Sequence, residues 1–391
     1  MIERTRTVLA LGSAQTLAWA SSYYLPAMLA APMARDLGIG TPTVFAVFSL
    51  ALMVSAFTGP ASGRVIDRHG GRAVLMGSNA LFVLGLAGLG LAQGPVSLVL
   101  SWVLLGVAMG GGLYDAAFAS LVRLYGRDSR QAITGITLIA GFASTVGWPL
   151  SSLLEVQLGW RGACFSWAAL HLLLGLPLNA SLPRLAAPVQ GAEPVAEGST
   201  AAPPEVSARP GRATAPLLAL LFSMLGFVST SMAAHLPGLL QAGGATLAVA
   251  VLAGALIGPA QVAARVVEFS VLRRFSPLLS ARAAALTHPA GALLLLAVGP
   301  AAALPFAILH GTGNGLLTIV RGTLPLALFG AAGYGARQGW IALPGRVLGG
   351  LSPWLFGLAL ERFGARALWL SSGMCLTAFT CLLLLRLPRD T

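Results

Sequence analysis

Apolar runs of about twenty residues follow one another along almost the whole of this chain, and that pattern leaves few folds open. In hydrocarbon no water satisfies a backbone N–H or C=O, so each run must be a helix or a strand of a closed barrel. A barrel strand alternates apolar and polar residues. These runs are continuous, so they read as helices. Only 9% of the 391 residues are charged and 56% are hydrophobic, whereas about a quarter of a soluble domain is charged. The mean hydropathy is +0.82. The net charge is +12, yet the arginines are scattered between apolar runs instead of lining one face, which excludes nucleic acid as a partner. Cys164, Cys375 and Cys381 sit inside apolar runs without metal spacing. The opening MIERTRT leads into a run too long for a signal h-region, and it reads as the start of a first span.

Hydropathy, punctuated by charges and Gly/Pro, places spans near 7–32, 42–62, 73–93, 96–122, 131–154 and 162–182. Six more follow near 214–239, 246–267, 279–299, 301–321, 338–360 and 366–385. The stretch 184–213, rich in Ala, Pro, Glu and Gly, has too little apolar surface to fold alone and reads as a linker. The expected organisation is therefore a six-helix bundle over 1–183, a cytoplasmic linker over 184–213 and a second six-helix bundle over 214–391. An even number of spans puts both termini and the linker on one face. That face collects Arg4, Arg6, Arg64, Arg68, Arg72, Arg123, Arg127, Arg130, Arg184, Arg209, Arg212, Arg273, Arg274, Arg282, Arg337, Arg386 and Arg389. The other holds Arg35, Arg161, Arg362 and Arg366. The positive-inside rule then makes the first face cytoplasmic and the membrane the inner, cytoplasmic one. The halves also read as diverged copies: Glu155 and Glu361 are 206 residues apart, and Arg161 falls one residue from a match with Arg366. Such repeats are how many secondary transporters are built, with the solute site at mid-membrane between them.

The loop after the second span reads GRVIDRHGGR, Gly63 to Arg72. It resembles the G-x-x-x-D-R-x-G-R signature of the major facilitator superfamily, and its place in a six-plus-six chain extends the resemblance to the whole sequence. The resemblance implies an all-α membrane fold of twelve helices in two pseudo-symmetric bundles. It also implies a conformational role for Gly63, Asp67, Arg68, Gly70 and Arg72, which in that family stabilise the outward-facing state; the alternative is that these charges only set topology. The matching loop of the second half, VLRRF from Val271 to Phe275, has Arg273 at the acidic position and lacks the glycines. Gly147, Trp148 and Pro149 resemble the family's antiporter motif without its full glycine ladder.

Charge at bilayer depth costs several kcal/mol, so ionisable residues inside spans are functional candidates. Asp115 is the acidic residue well inside a span, within GGGLYDAAF, and Arg265, Arg321 and Arg346 are its basic counterparts. Gln261 and Arg265 share a helix face. Cations on spans eight and eleven, Arg265 and Arg346, are similar to the oxalate–formate exchanger and monocarboxylate-carrier branches, where they clasp a carboxylate. A guanidinium is a planar fork that stays charged and meets a carboxylate bidentately. Where the monocarboxylate branch has an acidic residue one turn before the arginine, Gln261 stands here. The alternative for both arginines is snorkelling to headgroups. Asp115 is open to three readings: a gate pairing with Arg321 or Arg346, a protonatable coupling group, or a structural partner within its own half. Gln15, Trp19 and Tyr23 form an i, i+4, i+8 stripe, either cavity lining or helix packing. His235, in AAHLPGLL, is similar to span seven of the carboxylate carriers; beside Pro237 it would equally bond freed backbone. Asn314 is a further cavity candidate. His171, His288 and His310 read as packing residues, and Gly106 and Gly110 as close-packing surfaces.

No G-x-x-x-x-G-K-[ST] loop and no catalytic constellation occur. The expectation is a non-enzymatic secondary active carrier without cofactor or metal. It would move a small organic anion, a carboxylate, by alternating access, with protons as candidate coupling ion and Arg265, Arg346, Gln261, Gln15, Trp19, Tyr23, His235 and Asn314 as substrate contacts. It is expected to work as a monomer in the bilayer. The rival readings are an exporter of hydrophobic drugs or toxic compounds and a non-transporting membrane sensor.

Overall fold

A computed structural model of the chain describes residues 2–126, 129–183, 213–329 and 334–385. The expected linker, but for Ala213, and the side chains of Arg127, Arg130, Arg184, Arg209, Arg212, Arg273, Arg337, Arg386 and Arg389 lie outside the described residues. Among those described, every regular element is helical. The first half holds α1 (Ile2–Ser21), α2 (Pro26–Asp36), α3 (Thr41–His69), α4 (Gly71–Gly90), α5 (Pro95–Gly112), α6 (Tyr114–Tyr125), α7 (Ser129–Ala140), α8 (Ala143–Leu170) and the short α9 (Leu176–Ala180). The second half holds α10 (Thr214–Ala242), α11 (Leu247–Ser270), α12 (Pro277–Val298), α13 (Ala303–Phe329), α14 (Tyr334–Phe363) and α15 (Leu368–Leu384).

Eight stretches are long and apolar enough to cross a bilayer, and three of them, 131–180, 277–329 and 341–384, run to 50, 53 and 44 residues. At 1.5 Å per residue each of those three is twice the needed length, and each turns back once. The first crossing, α1 with α2, falls outside the eight because α1, with Glu3, Arg4 and Arg6 at its start and Gln15 within it, is less apolar than the others, and the helix is interrupted between Ser21 and Pro26. Twelve crossings result, as the hydropathy predicts. They are less regular than twelve straight rods: the first, fourth and fifth crossings are interrupted, at 22–25, at Leu113 and at 141–142. The turn between the fifth and sixth is a single left-handed glycine inside α8, Gly159 at φ 69°.

The repeat shows in these turns. Gly38 and Gly244, 206 residues apart, both take positive φ (64° and 92°), and so do Gly159 and Gly364, 205 apart, at 69° and 56°. L-residues with a Cβ disfavour that region, so both halves use glycine where the chain must double back. Below, the linker side means the face of the loop between α3 and α4, and the far side the opposite one.

Within each half, bare backbone brings helices close. A Cβ on Gly106 or Gly110 of α5 would lie 2.6 Å from the Ala51 carbonyl or 2.9 Å from that of Ser55, both on α3. Gly311 and Gly315 of α13 do the same against Ile257 and Gln261 of α11. Without a hydrophobic force between helices in lipid, such close approach is what holds a bundle together. On the far side, Arg161 ties the first half shut: it reaches Asp36 at 2.8 Å and donates to the Gly90 and Ala92 carbonyls, with Trp160 beneath it.

Candidate functional site

The two halves meet along two seams. In the first, α3 packs on α14 and the contacts gather toward the far side. Trp354 N–H donates to Ser49 Oγ at 3.1 Å, and a Cβ on Gly350 would lie 2.7 Å from the Met53 sulfur. His235 of α10 packs against Phe45 with ring centroids 3.9 Å apart and planes tilted by 44°, and its Nε2 lies 2.7 Å from the Pro353 carbonyl. His235 is thus a closing residue between the halves, buried, packed on the first half and bonded to the backbone of α14. In the second seam, Trp148 of α8 inserts against Gly254 of α11, where a Cβ would sit 1.7 Å from its ring, and its Nε1 donates to the Tyr24 carbonyl. Thr145 Oγ1 donates to the Ala255 carbonyl at 2.7 Å. Further toward the linker side, Arg265 donates to the Thr137 carbonyl at 2.9 Å.

Between the seams, midway along the helices, lies a cavity of about 450 Å³. The first half supplies Trp19, Tyr23, Leu52, Ser55, Met109, Leu113, Tyr114, Asp115 and Phe118; the second supplies Phe222, Gly226, Thr230, Arg321, Gly345, Arg346, Gly349 and Gly350. Trp19, Tyr23, Asp115, Arg321 and Arg346, picked from the sequence, therefore share one chamber. Its volume is within the usual range of small-molecule sites. Asp115 and Arg346 are solvent-reachable and carry no hydrogen bond or ion pair among the described residues. The Arg321 guanidinium reaches toward α10, since a Cβ on Gly226 would lie 3.2 Å from it. Tyr23 spans the halves beside it, donating to Thr230 Oγ1 at 3.0 Å.

The break in the fourth crossing explains how a carboxylate is tolerated here. Leu113 is extended (φ −90°, ψ −166°), and a new helix starts at Tyr114, with Asp115 in its first turn. The partial positive charge of a helix start offsets part of the cost of a carboxylate at this depth. Gln15 Nε2 donates to the Gly112 carbonyl at the break, at 2.7 Å. Gln15 is buried and braces α1 on that break instead of lining the chamber.

The remaining sequence candidates lie elsewhere. Arg265 bonds Thr137, Gln261 Oε1 (3.4 Å) and Thr318 Oγ1 (3.3 Å), and neither it nor Gln261 lines the chamber. Asn314 Nδ2 lies 3.2 Å from His310 Nε2, within a buried network of α12, α13 and α15. There His288 and His310 approach Nδ1 to Nδ1 at 3.0 Å, and His288 Nε2 lies 2.9 Å from Ser371 Oγ, which also reaches the Leu368 carbonyl. One tautomer set satisfies every contact: Asn314 donates to His310, His310 to His288, His288 to Ser371 and Ser371 to Leu368. The expected loop is almost wholly helical: Gly63, with open space around its Cβ position, and the exposed Asp67 and Arg68 belong to α3, the partly buried Arg72 to the first turn of α4, and Gly70 alone turns between them at φ 84°. Three residues escape a sequence reading. Tyr114 and Phe118 flank Asp115 at i, i+4 spacing, and Glu268, buried at the end of α11, accepts from Ser280 Oγ at 2.6 Å.

A model of the Major Facilitator Superfamily matches residues 11–353 of this sequence. The chain belongs to the major facilitator superfamily. It is a multi-pass membrane transporter and not an enzyme. Among solved structures, the fold of this superfamily member is similar to that of the nucleoside transporter NupG, determined in a mutant form. The TM-score is 0.78 at 13% identity, covering 98% of this chain and 100% of that one. It is also similar to a bacterial homologue of the human lysosomal transporter Spinster, in an inward-facing and occupied conformation, with TM-score 0.67, 17% identity, and 98% and 94% of the chains covered. At those identities the likeness is one of fold. By sequence, the carrier is 29% identical over 376 residues to an uncharacterized 38 kDa protein in the 23S RNA operon of Thermoproteus tenax, 93% of this chain and 92% of that protein. It is 33% identical over 106 residues to the multidrug resistance protein fnx1 of Schizosaccharomyces pombe, 27% of this chain and 20% of that one.

Proposed function

We propose that this carrier is a gradient-driven transporter of a small organic anion, a carboxylate, in the cytoplasmic membrane with the linker side cytoplasmic. The observation that supports it is the placing of Arg321 and Arg346 in one chamber, between the halves and midway across the membrane, against the single carboxylate of Asp115. Two guanidinium groups and one carboxylate give the chamber a standing positive potential at low dielectric, which attracts and orients an anion. Because Arg346 and Arg321 line the chamber and Arg265 does not, the anion-holding role goes to Arg346 and Arg321, and Arg265, which reaches the Thr137 carbonyl, takes that of a tie between the halves. Asp115 is the proton-coupling group and, when the linker side closes, the gate partner of these arginines. The far-side contacts of His235, Met53 and Trp354 then belong to the state that opens toward the cytoplasm.

The test is uptake of labelled carboxylates into liposomes holding the purified protein, with and without an imposed pH gradient. Arg346→Gln and Arg321→Gln are expected to abolish uptake with normal yield, and Asp115→Asn to abolish its response to the gradient while exchange persists. Unchanged uptake in both arginine variants would overturn the assignment. The aromatic lining and the local similarity to a multidrug resistance protein favour one second reading, export of lipophilic compounds. Protection of cells against unrelated lipophilic compounds, indifferent to both arginine substitutions, would select it.

A further inference from the structure

Four of the five aromatic side chains that line the central chamber belong to the first half, and both of its arginines belong to the second. On the first half, four rings follow one another from α1 across to α6. Tyr23 and Trp19 lie 4.9 Å apart, Trp19 and Tyr114 4.9 Å, and Tyr114 and Phe118 5.2 Å with their planes only 12° apart. All four line the chamber. The second half supplies Arg321, Arg346 and the glycines Gly226, Gly345, Gly349 and Gly350, alongside Phe222, Thr230 and Ala342.

We propose that the transported anion carries an aromatic ring, which lies on this ladder while its carboxylate turns to the two arginines. The proposal rests on the anion reading above and narrows it. A ladder of rings that served packing alone would be covered by the helices opposite. Here the rings border an open chamber, and four of the second-half residues that line it, Gly226, Gly345, Gly349 and Gly350, have no side chain with which to cover them. An aromatic ring offers these four rings a face and an edge to pack against, which a saturated ring or a chain does not. Trp19 Nε1 adds a second observation, being buried without a hydrogen-bond partner among the described residues. An indole N–H at that position is satisfied by a bound molecule's oxygen or by the π-face of a ring. The arginines contribute the charge selection and the rings the shape selection. A lipophilic cation of the same shape meets two positive charges against one negative and is repelled.

The experiment is calorimetric titration of the purified full-length carrier in detergent with matched pairs of ligands. Benzoate is compared with cyclohexanecarboxylate, phenylacetate with cyclohexylacetate, and benzylamine serves as the charge-reversed control. The expected result is that each aromatic acid binds more tightly than its saturated analogue by roughly 2- to 13-fold, the factor that aromatic contact adds beyond buried area. The preference should vanish in Trp19→Leu and in Tyr114→Leu, whereas Arg346→Gln should weaken both members of each pair alike. Equal affinities for aromatic and saturated acids in the unsubstituted carrier would overturn the ring proposal and leave the anion reading standing. Absence of binding by every acid, or benzylamine binding as well as benzoate, would overturn the anion reading and this inference with it. The decisive comparison uses the unsubstituted protein, so a variant that fails to fold leaves it intact.

Discussion

The contact of Trp148 with Gly254 is a wedge site whose effect on the working cycle can be worked out in advance. A methyl group built on Gly254 lies 1.7 Å from Trp148 Cε3 and 2.1 Å from Cζ3, against the 3.5–4.0 Å at which carbon atoms rest. In Gly254→Ala the two surfaces must therefore part by about 2 Å. The indole has little room to yield, because its Nε1 is held by the Tyr24 carbonyl at 3.1 Å and the side chain is fully buried. Overpacking of this kind costs about 1–3 kcal/mol. Had Trp148 and Gly254 belonged to one bundle, that cost would fall on folding. They belong to opposite halves, on the far-side portion of the seam, so parting the halves there relieves it. The far-closed state is then penalised relative to the far-open one by about 1–3 kcal/mol, a shift of about 5- to 160-fold in their ratio. The measurement is electron–electron distance spectroscopy between spin labels on Gly40→Cys and Gln241→Cys, both exposed on the far side. Cys164, Cys375 and Cys381 are buried and need only be checked for labelling. Gly254→Ala should move the distance distribution toward its long component, and Trp148→Ala in the same chain should move it back. A distribution unchanged by Gly254→Ala, with stability reduced, would refute the reasoning and make this seam a permanent joint.

Three other substitutions separate packing within a half from contacts between halves. Arg161→Ala removes the clasp on Asp36 and two backbone carbonyls. The ion pair is half-exposed and contributes well under ~1 kcal/mol, but the carbonyl bonds bring the expected loss of stability to about 1–3 kcal/mol, read as a lower thermal midpoint with unchanged spin-label distances. His288→Leu leaves the His310 Nδ1–H without its acceptor, costing about 1–3 kcal/mol; His288→Leu with His310→Leu should cost less than the sum of the two single substitutions, and simple additivity in thermal unfolding would break the assigned network. Gly106→Val forces a branched side chain onto the Ala51 backbone, 2.6 Å from Cβ, and should abolish the folded peak in size-exclusion chromatography, whereas Gly63→Ala, with nothing within 4 Å, should leave that peak intact.

The crossings were legible in the sequence because the bilayer imposes one constraint everywhere, and the places where the reading loses detail are where the chain locally escapes it. Hydropathy averages over some twenty residues, so it sees the fourth crossing as one run. It cannot see that Gly110–Gly112 let the run stop at Leu113 and start again at Tyr114. The interruption is nevertheless what gives Asp115 a helix start to sit on and turns Tyr114 and Phe118 toward the chamber. The single-glycine turn at Gly159 is hidden for a related reason, since Glu155 and Arg161 suggest a loop where one left-handed residue suffices.

Site residues were legible only as far as burial and charge could be inferred from position along a span. Asp115, Arg321 and Arg346 stand out because charge at bilayer depth is costly, and depth can be counted from the helix ends. Arg265 stands out on the same ground, yet its surroundings differ. The break at 141–142 leaves the Thr137 carbonyl near the end of α7, and Arg265 reaches across the seam to it. Whether an arginine faces a chamber or a neighbouring backbone depends on rotation about the helix axis and on what the facing helix does at that height. Neither is encoded in the arginine's own segment. His235 and Asn314 teach the same lesson, one bonded to the Pro353 carbonyl and the other to His310. A polar side chain that meets a neighbouring helix at close range is claimed first by the backbone or side chains it meets there. The residues left for a solute are those that line the chamber, as Arg346 and the ring ladder do.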